Sequence, residues 1–154
     1  MNVLITGSRK PPPGARMLIR RLVTHCHEKG YQIIVGDADG SDAMVIEEAD
    51  ALNAAPEVHG ARGRLRHRTQ TGRNITHPGT YPQRDAAMAA RLTPLRDVCV
   101  AIWNGVSPGT RLTAAMASRR LVAVRWYFNR PQEPKRKARR RTWARAQAIG
   151  RGDA

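Results

Sequence analysis

Asp97-Val98-Cys99-Val100-Ala101-Ile102-Trp103, running directly into Asn104-Gly105-Val106-Ser107-Pro108-Gly109-Thr110, decides the fold of this chain. The first seven residues are almost continuously apolar, as in a strand covered on both faces of its sheet. The Gly- and Pro-containing stretch that follows reads as a turn opening a helix. That helix is predicted to reach Arg119, and 121–124 (Leu-Val-Ala-Val) is predicted as the next strand.

The same alternation precedes it. Asn2-Val3-Leu4-Ile5-Thr6 is a short apolar run ending at Gly7-Ser8-Arg9. A helix is predicted over 15–29, where Leu18, Leu22, Val23 and Cys26 recur at three- and four-residue spacing, with Gly30 at its end. A strand over 31–35 leads to Gly36-Asp37-Ala38-Asp39-Gly40-Ser41-Asp42, with Ser41 or Asp42 as candidate N-cap of a helix reaching about residue 54. Residues 57–60 read as a weak third strand, 61–81 as a long basic loop, and Pro82 as the opening of a helix to Arg91. Strand and helix alternating in this way predict an α/β fold, a Rossmann-like doubly wound parallel sheet of about five strands in the order 3-2-1-4-5. The domain is expected over residues 1–129, with residues 130–154 as a basic tail that either forms a helix or orders on meeting an anion.

In such a sheet ligands bind beyond the carboxyl ends of the strands where the strand order reverses. For this order the point lies between the first and fourth strands, so the loops around Gly7 and Gly109 should converge there. Glycine permits close backbone approach and helix N-terminal amides favour anions. Ser8, Arg9 and Thr110 add hydroxyl and guanidinium donors. A phosphorylated ligand is the expected occupant.

Four segments carry a family resemblance. They are Val3-Leu4-Ile5-Thr6-Gly7-Ser8-Arg9, the Gly36–Asp42 loop, Arg84-Asp85-Ala86-Ala87-Met88, and Trp103 to Thr110. In that order and spacing, over roughly residues 1–126, the chain resembles the SLOG superfamily of Rossmann-like proteins, especially its YspA (cpYpsA-related) branch. The resemblance implies a site for nucleotides or nucleotide derivatives, in sensing or processing. It implies Gly7, Ser8 and Arg9 on one side of the ligand, Gly40 and Asp42 shaping the second loop, Arg84 facing a phosphate or ribose, and Gly109 and Thr110 on phosphate. It also implies a homo-oligomer, with a dimer expected. Two positions depart from the pattern: Asp37 stands where the family has glycine, and Asp85 where it has asparagine. The phosphoribohydrolases of the superfamily carry a glutamate where this chain has Thr113, so hydrolysis of an N-glycosidic bond would need another carboxylate, Asp42 or Asp85.

The formal net charge is +15, divided almost evenly. Residues 130–154 hold nine Lys/Arg against two acidic residues, and 61–73 hold five arginines and no carboxylate. Non-specific nucleic-acid binding through this loop and the tail is therefore the competing function; a scaffold regulated by its ligand is a third. Asp37, Asp39 and Asp42 do not have EF-hand spacing, so no dedicated metal site is expected and magnesium would arrive only with ligand phosphates. Zinc is rejected because His25-Cys26-His27 are adjacent and point apart on a helix. Cys26 and Cys99 read as buried free thiols of a cytoplasmic protein. No membrane span is expected, and the start of the chain has no signal-peptide pattern. Trp103 and Trp126 are expected to pack at strand ends.

Overall fold

The computed structural model describes residues 1–132. The tail expected from residue 130 onward lies almost wholly outside these residues. The elements are β1 (Asn2–Gly7), α1 (Ala15–Glu28), β2 (Gln32–Gly36), α2 (Ser41–Ala51), β3 (Glu57–Gly60), β4 (Arg73–Thr76), α3 (Tyr81–Ala90), β5 (Val98–Ile102), α4 (Pro108–Arg119) and β6 (Ala123–Tyr127). All strand pairs are parallel, in the order β4-β3-β2-β1-β5-β6. This is the doubly wound sheet that the alternation predicts, with six strands instead of five.

Alternate residues of each strand enter opposite cores. Val3, Ile5, Ile33, Val35, Val100 and Ile102 face Ile19, Val23, Val45 and Ala49 of α1 and α2. Leu4, Ile34 and Cys99 face Met88 of α3, Leu92 and Ala117 of α4. Covering on both sides explains why β1, β2 and β5 are apolar without alternation. It also separates the two free thiols: Cys26 belongs to the first core and Cys99 to the second. Burial pushes them up to about 11 and about 12, so both stay protonated at neutral pH.

The sixth strand corrects the reading of 61–81 as one long loop. Arg73–Thr76 pairs with β3 from Glu57↔Arg73 to Gly60↔Thr76. It is an edge strand with only Ile75 partly buried, so it lacks the apolar signature that would announce it. The preceding arginine-rich stretch is tied down by two carboxylates. Asp50 accepts from Thr69 Oγ1, from the Gln70 amide (2.9 Å) and from Thr71 Oγ1 (2.8 Å). Asp37 accepts from the Arg66 amide (2.7 Å) and its guanidinium (2.9 Å).

β3 is weak by sequence because its inward positions are polar. Glu57 is fully buried and receives His59 Nε2 (2.7 Å), Arg91 (2.9 and 3.0 Å) and Arg73. Burial alone would raise the Glu57 carboxyl, but these donors hold it below its usual range.

The helix starts differ in detail from expectation. Neither Ser41 nor Asp42 caps α2: Gly40 occupies the N-cap, and the Ser41 hydroxyl donates to the Ser8 carbonyl instead. α3 begins one residue early, capped by Thr80 and Gln83 in a reciprocal capping box. Leu52, just beyond the end of α2, is exposed.

Candidate functional site

A cleft of about 440 Å³ opens at the carboxyl ends of β1 and β5, where the sheet order reverses. Six of the eight expected ligand-binding residues line it: Gly7, Arg9, Asp42, Arg84, Gly109 and Thr110. Ser8 and Gly40 stand behind the wall. Ser8 is fully buried; its amide donates to the Ile102 carbonyl and its hydroxyl accepts from the Asn104 amide, tying the β1 turn to the β5 turn. Gly40 has φ +81° and packs so closely on the Arg9 backbone that a side chain would overlap it.

Gly7 and Gly109 border the same cleft for different reasons. A Cβ at Gly7 would overlap Ser41, so packing of β1 on α2 already requires glycine there. Gly109 has no positive φ, and a Cβ there would meet nothing within 4 Å. Among the described glycines it alone has neither constraint. It sits in the first turn of α4, where backbone amides lack intrahelical partners. Thr110, 2% exposed, holds its hydroxyl 3.2 Å from that of Ser107, and Asn104 Oδ1 accepts from the Val106 and Ser107 amides to shape the approach.

The opposite chemistry comes from three carboxylates around Arg84. Arg84 Nη1 donates to Asp37 Oδ1 and to the His59 carbonyl, both at 3.0 Å. Its Nε lies 2.8 Å from Asp85 Oδ1 in a charge contact that is not aligned as a hydrogen bond. Neither of these two buried atoms has a hydrogen-bond partner. Asp42 accepts from the Ala38 amide at 3.1 Å. Burial works to raise Asp37, but hydrogen bonds from Arg66 and the charges of Arg66 and Arg84 hold it below its usual value. Burial dominates at the other two: Asp42 is pushed up to about 7, against the pull of Arg84, and Asp85 is pushed up as well. The departures from the family pattern thus meet in space, Asp37 anchoring Arg84 on one side and Asp85 flanking it on the other.

Among the described residues no group of three or more His, Cys, Asp or Glu is placed to hold a metal ion. Asp39, the third acid of its loop, is paired with His67 at 2.7 Å.

Residues not singled out as ligand-binding by sequence also line the cleft: Lys10, Tyr81, Asn104 and Thr113. Tyr81 carries the guanidinia of Arg66 at 4.7 Å and Arg62 at 5.1 Å from its ring centroid. Its place at the first turn of α3 was the available signal; that the basic loop folds onto it was not.

Asp42→Asn tests the electrostatics. The amide oxygen can still accept from Ala38, and the charge is gone. Because the folded-state value is raised, Asp42 stabilises the fold below its ordinary value near 3.8, and that contribution is lost as pH rises toward about 7. The variant should melt with the parent in acid, gain on it between about pH 4 and pH 7, and keep a constant lead above. A lead independent of pH would show that Asp42 ionises normally.

No family model matches the sequence, and no curated protein does. Among solved structures, the Moco Carrier Protein from Chlamydomonas reinhardtii superposes with a TM-score of 0.64 at 17% identity, over 84% of this chain and 77% of that one. The structural-genomics target TM1055 gives 0.60 at 19% identity, over 80% and 71%. Likeness at this identity establishes the class, a Rossmann-like α/β fold. Among the described residues no helix is long and apolar enough to cross a membrane.

Proposed function

We infer that the cleft binds a nucleotide or nucleotide-derived phosphorylated ligand, for sensing or processing, with a phosphate at the start of α4. The observation that carries this reading is Gly109, whose missing side chain serves no packing or backbone need and leaves the first turn of α4 open to the cleft. Helix N-terminal amides and their dipole favour an anion there. Arg9 and Lys10 on the cleft wall add positive charge. Arg84 and Asp85, an ion pair at 2.8 Å, add a fixed charged pair to the same cleft wall. The resemblance to the SLOG superfamily, YspA branch, supports the same ligand class.

Thermal melting against a panel of nucleoside monophosphates, diphosphates and ADP-ribose tests it. A ligand at 100 times its dissociation constant stabilises by about 2.7 kcal/mol. A flat response across the panel at millimolar concentration overturns the reading.

Asp42 and Asp85 favour a second reading, hydrolysis of the ligand's N-glycosidic bond. Asp42, held near 7, has the value expected of a group that donates a proton near neutrality. Release of ribose 5-phosphate from a nucleoside monophosphate, falling as pH rises through about 7 and lost in Asp42→Asn, is the expected result. Binding without any release leaves the protein a sensor.

A further inference from the structure

The charge of the described chain is strongly asymmetric. Every carboxylate side chain in residues 1–132 lies between Glu28 and Asp97. From Val98 to Gln132 there is none, yet this stretch holds Arg111, Arg119, Arg120, Arg125 and Arg130, all exposed. None of the five has a carboxylate partner among the described residues. The arginines of the other half are extensively paired: Arg16 and Arg20 with Glu48, Arg66 and Arg84 with Asp37, Arg73 and Arg91 with Glu57. The arginines of β5-α4-β6 thus form one stretch of the described surface with no carboxylate of its own, although Arg9, Arg21, Arg62, Arg64 and Arg68 elsewhere also lack a carboxylate partner among the described residues.

A groove of about 220 Å³ runs between α4 and the edge strand β6, sharing no lining residue with the nucleotide cleft. Ala115 and Ser118 keep its helix side low, Val124 and Trp126 form its strand side, and Arg111 and Pro131 stand at its border. Trp126 is half-buried and held edge-on by Trp103, with ring centroids 5.6 Å apart and planes at 60°. Trp103 is itself fixed, donating Nε1 to the Ser107 carbonyl at 2.8 Å. The indole at the groove is therefore a pre-oriented face rather than a loose surface side chain. Past Pro131 the sequence continues into residues that hold eight further Lys/Arg.

We propose that the α4–β6 groove binds single-stranded nucleic acid, with an unpaired base on Trp126 and the flanking phosphates on Arg111 and Arg130. Base stacking on an aromatic beside backbone-neutralising arginines is the general chemistry of single-strand recognition. The groove has room for one base and not for the width of a duplex, and only an unpaired base offers its face to an indole. This site is separate from the basic loop, where Arg66 and Arg73 pair with Asp37 and Glu57 while Arg62, Arg64 and Arg68 have no carboxylate partner among the described residues.

Fluorescence anisotropy of the full chain with a labelled oligothymidylate of about 12 nucleotides tests this, alongside a duplex of equal length. The single strand should bind more tightly than the duplex at every salt concentration from about 50 to 200 mM. Arg111→Glu combined with Arg130→Glu should weaken binding more than ten-fold and make the log–log salt slope less negative by about 1.4, or 0.7 for each lost phosphate contact. Trp126→Leu should weaken it at least five-fold with the slope unchanged, while Trp126→Phe retains binding within about two-fold and controls for folding. Unchanged affinity in the arginine variant overturns the proposal and moves polyanion binding to another basic segment. So does preference for the duplex, or indifference to Trp126→Leu. Binding to vesicles of phosphatidylserine and phosphatidylcholine without binding to the oligonucleotide also overturns it, in favour of a membrane surface.

Discussion

Gly109→Val is expected to lower nucleotide affinity at least a hundred-fold, about 2.7 kcal/mol, without lowering the melting temperature of the free protein. The two halves of this expectation come from one observation. A Cβ at Gly109 meets no protein atom within 4 Å, so a branched side chain there displaces nothing in the fold. The space it fills is the cleft at the first turn of α4, where the phosphate would meet backbone amides. Gly7→Val is the contrasting case: its side chain would overlap Ser41, and stability should fall together with binding. Thr110→Ala should cost only about 0.5–1.5 kcal/mol of binding, because one hydroxyl is lost and the amides remain. Isothermal titration beside thermal melting separates the three. Full affinity in Gly109→Val would mean that the ligand sits elsewhere.

Asp37→Ala should destabilise the fold by about 3 kcal/mol near neutral pH, the usual consequence of removing one partner from a buried ion pair. Asp37 is 1% exposed and joins two arginines from different segments, Arg66 of the basic loop and Arg84 of α3. Without it Arg84, 6% exposed, faces only carboxylates that are driven toward neutrality, and Arg66 loses the anchor that holds it over Tyr81. Asp37→Asn supplies the pH signature. The Asp37 carboxyl is held below its ordinary value, so its contribution is present above about pH 4 and is lost as pH falls through the lowered value. As pH rises out of the acid range, Asp37→Asn should therefore fall below the parent in urea melts, whereas Asp42→Asn should rise above it. Parallel curves for the two variants would contradict the division of charge described around Arg84.

Much of the architecture was legible because it rests on local patterns. β1, β2 and β5 announce themselves as apolar runs because each is covered on both faces, and α1 shows its buried stripe at helical spacing. Gly30, just past the C-cap of α1, takes φ +65° as a helix-ending glycine does. The convergence of the Gly7 and Gly109 loops follows from strand order alone, since the order reverses at β1 and β5.

The remainder depends on residues far apart in the chain. β4 pairs along a wet edge and carries no periodic signal, so its backbone partner in β3 is what makes it a strand. Ser8 and Gly40 resemble ligand-facing loop residues in sequence, yet they turn inward because the β1 and β5 turns must bond to each other and α2 must approach Arg9. Asp37, Asp42 and Asp85 are alike as letters. They acquire opposite charge behaviour because one is given two guanidinium partners while the others are buried with incomplete partnering. Periodicity is a property of neighbours along the chain and survives in the sequence. The state of a buried charge is set by solvent exclusion and by partners 29 and 47 residues away, and these exist only once the strands lie side by side.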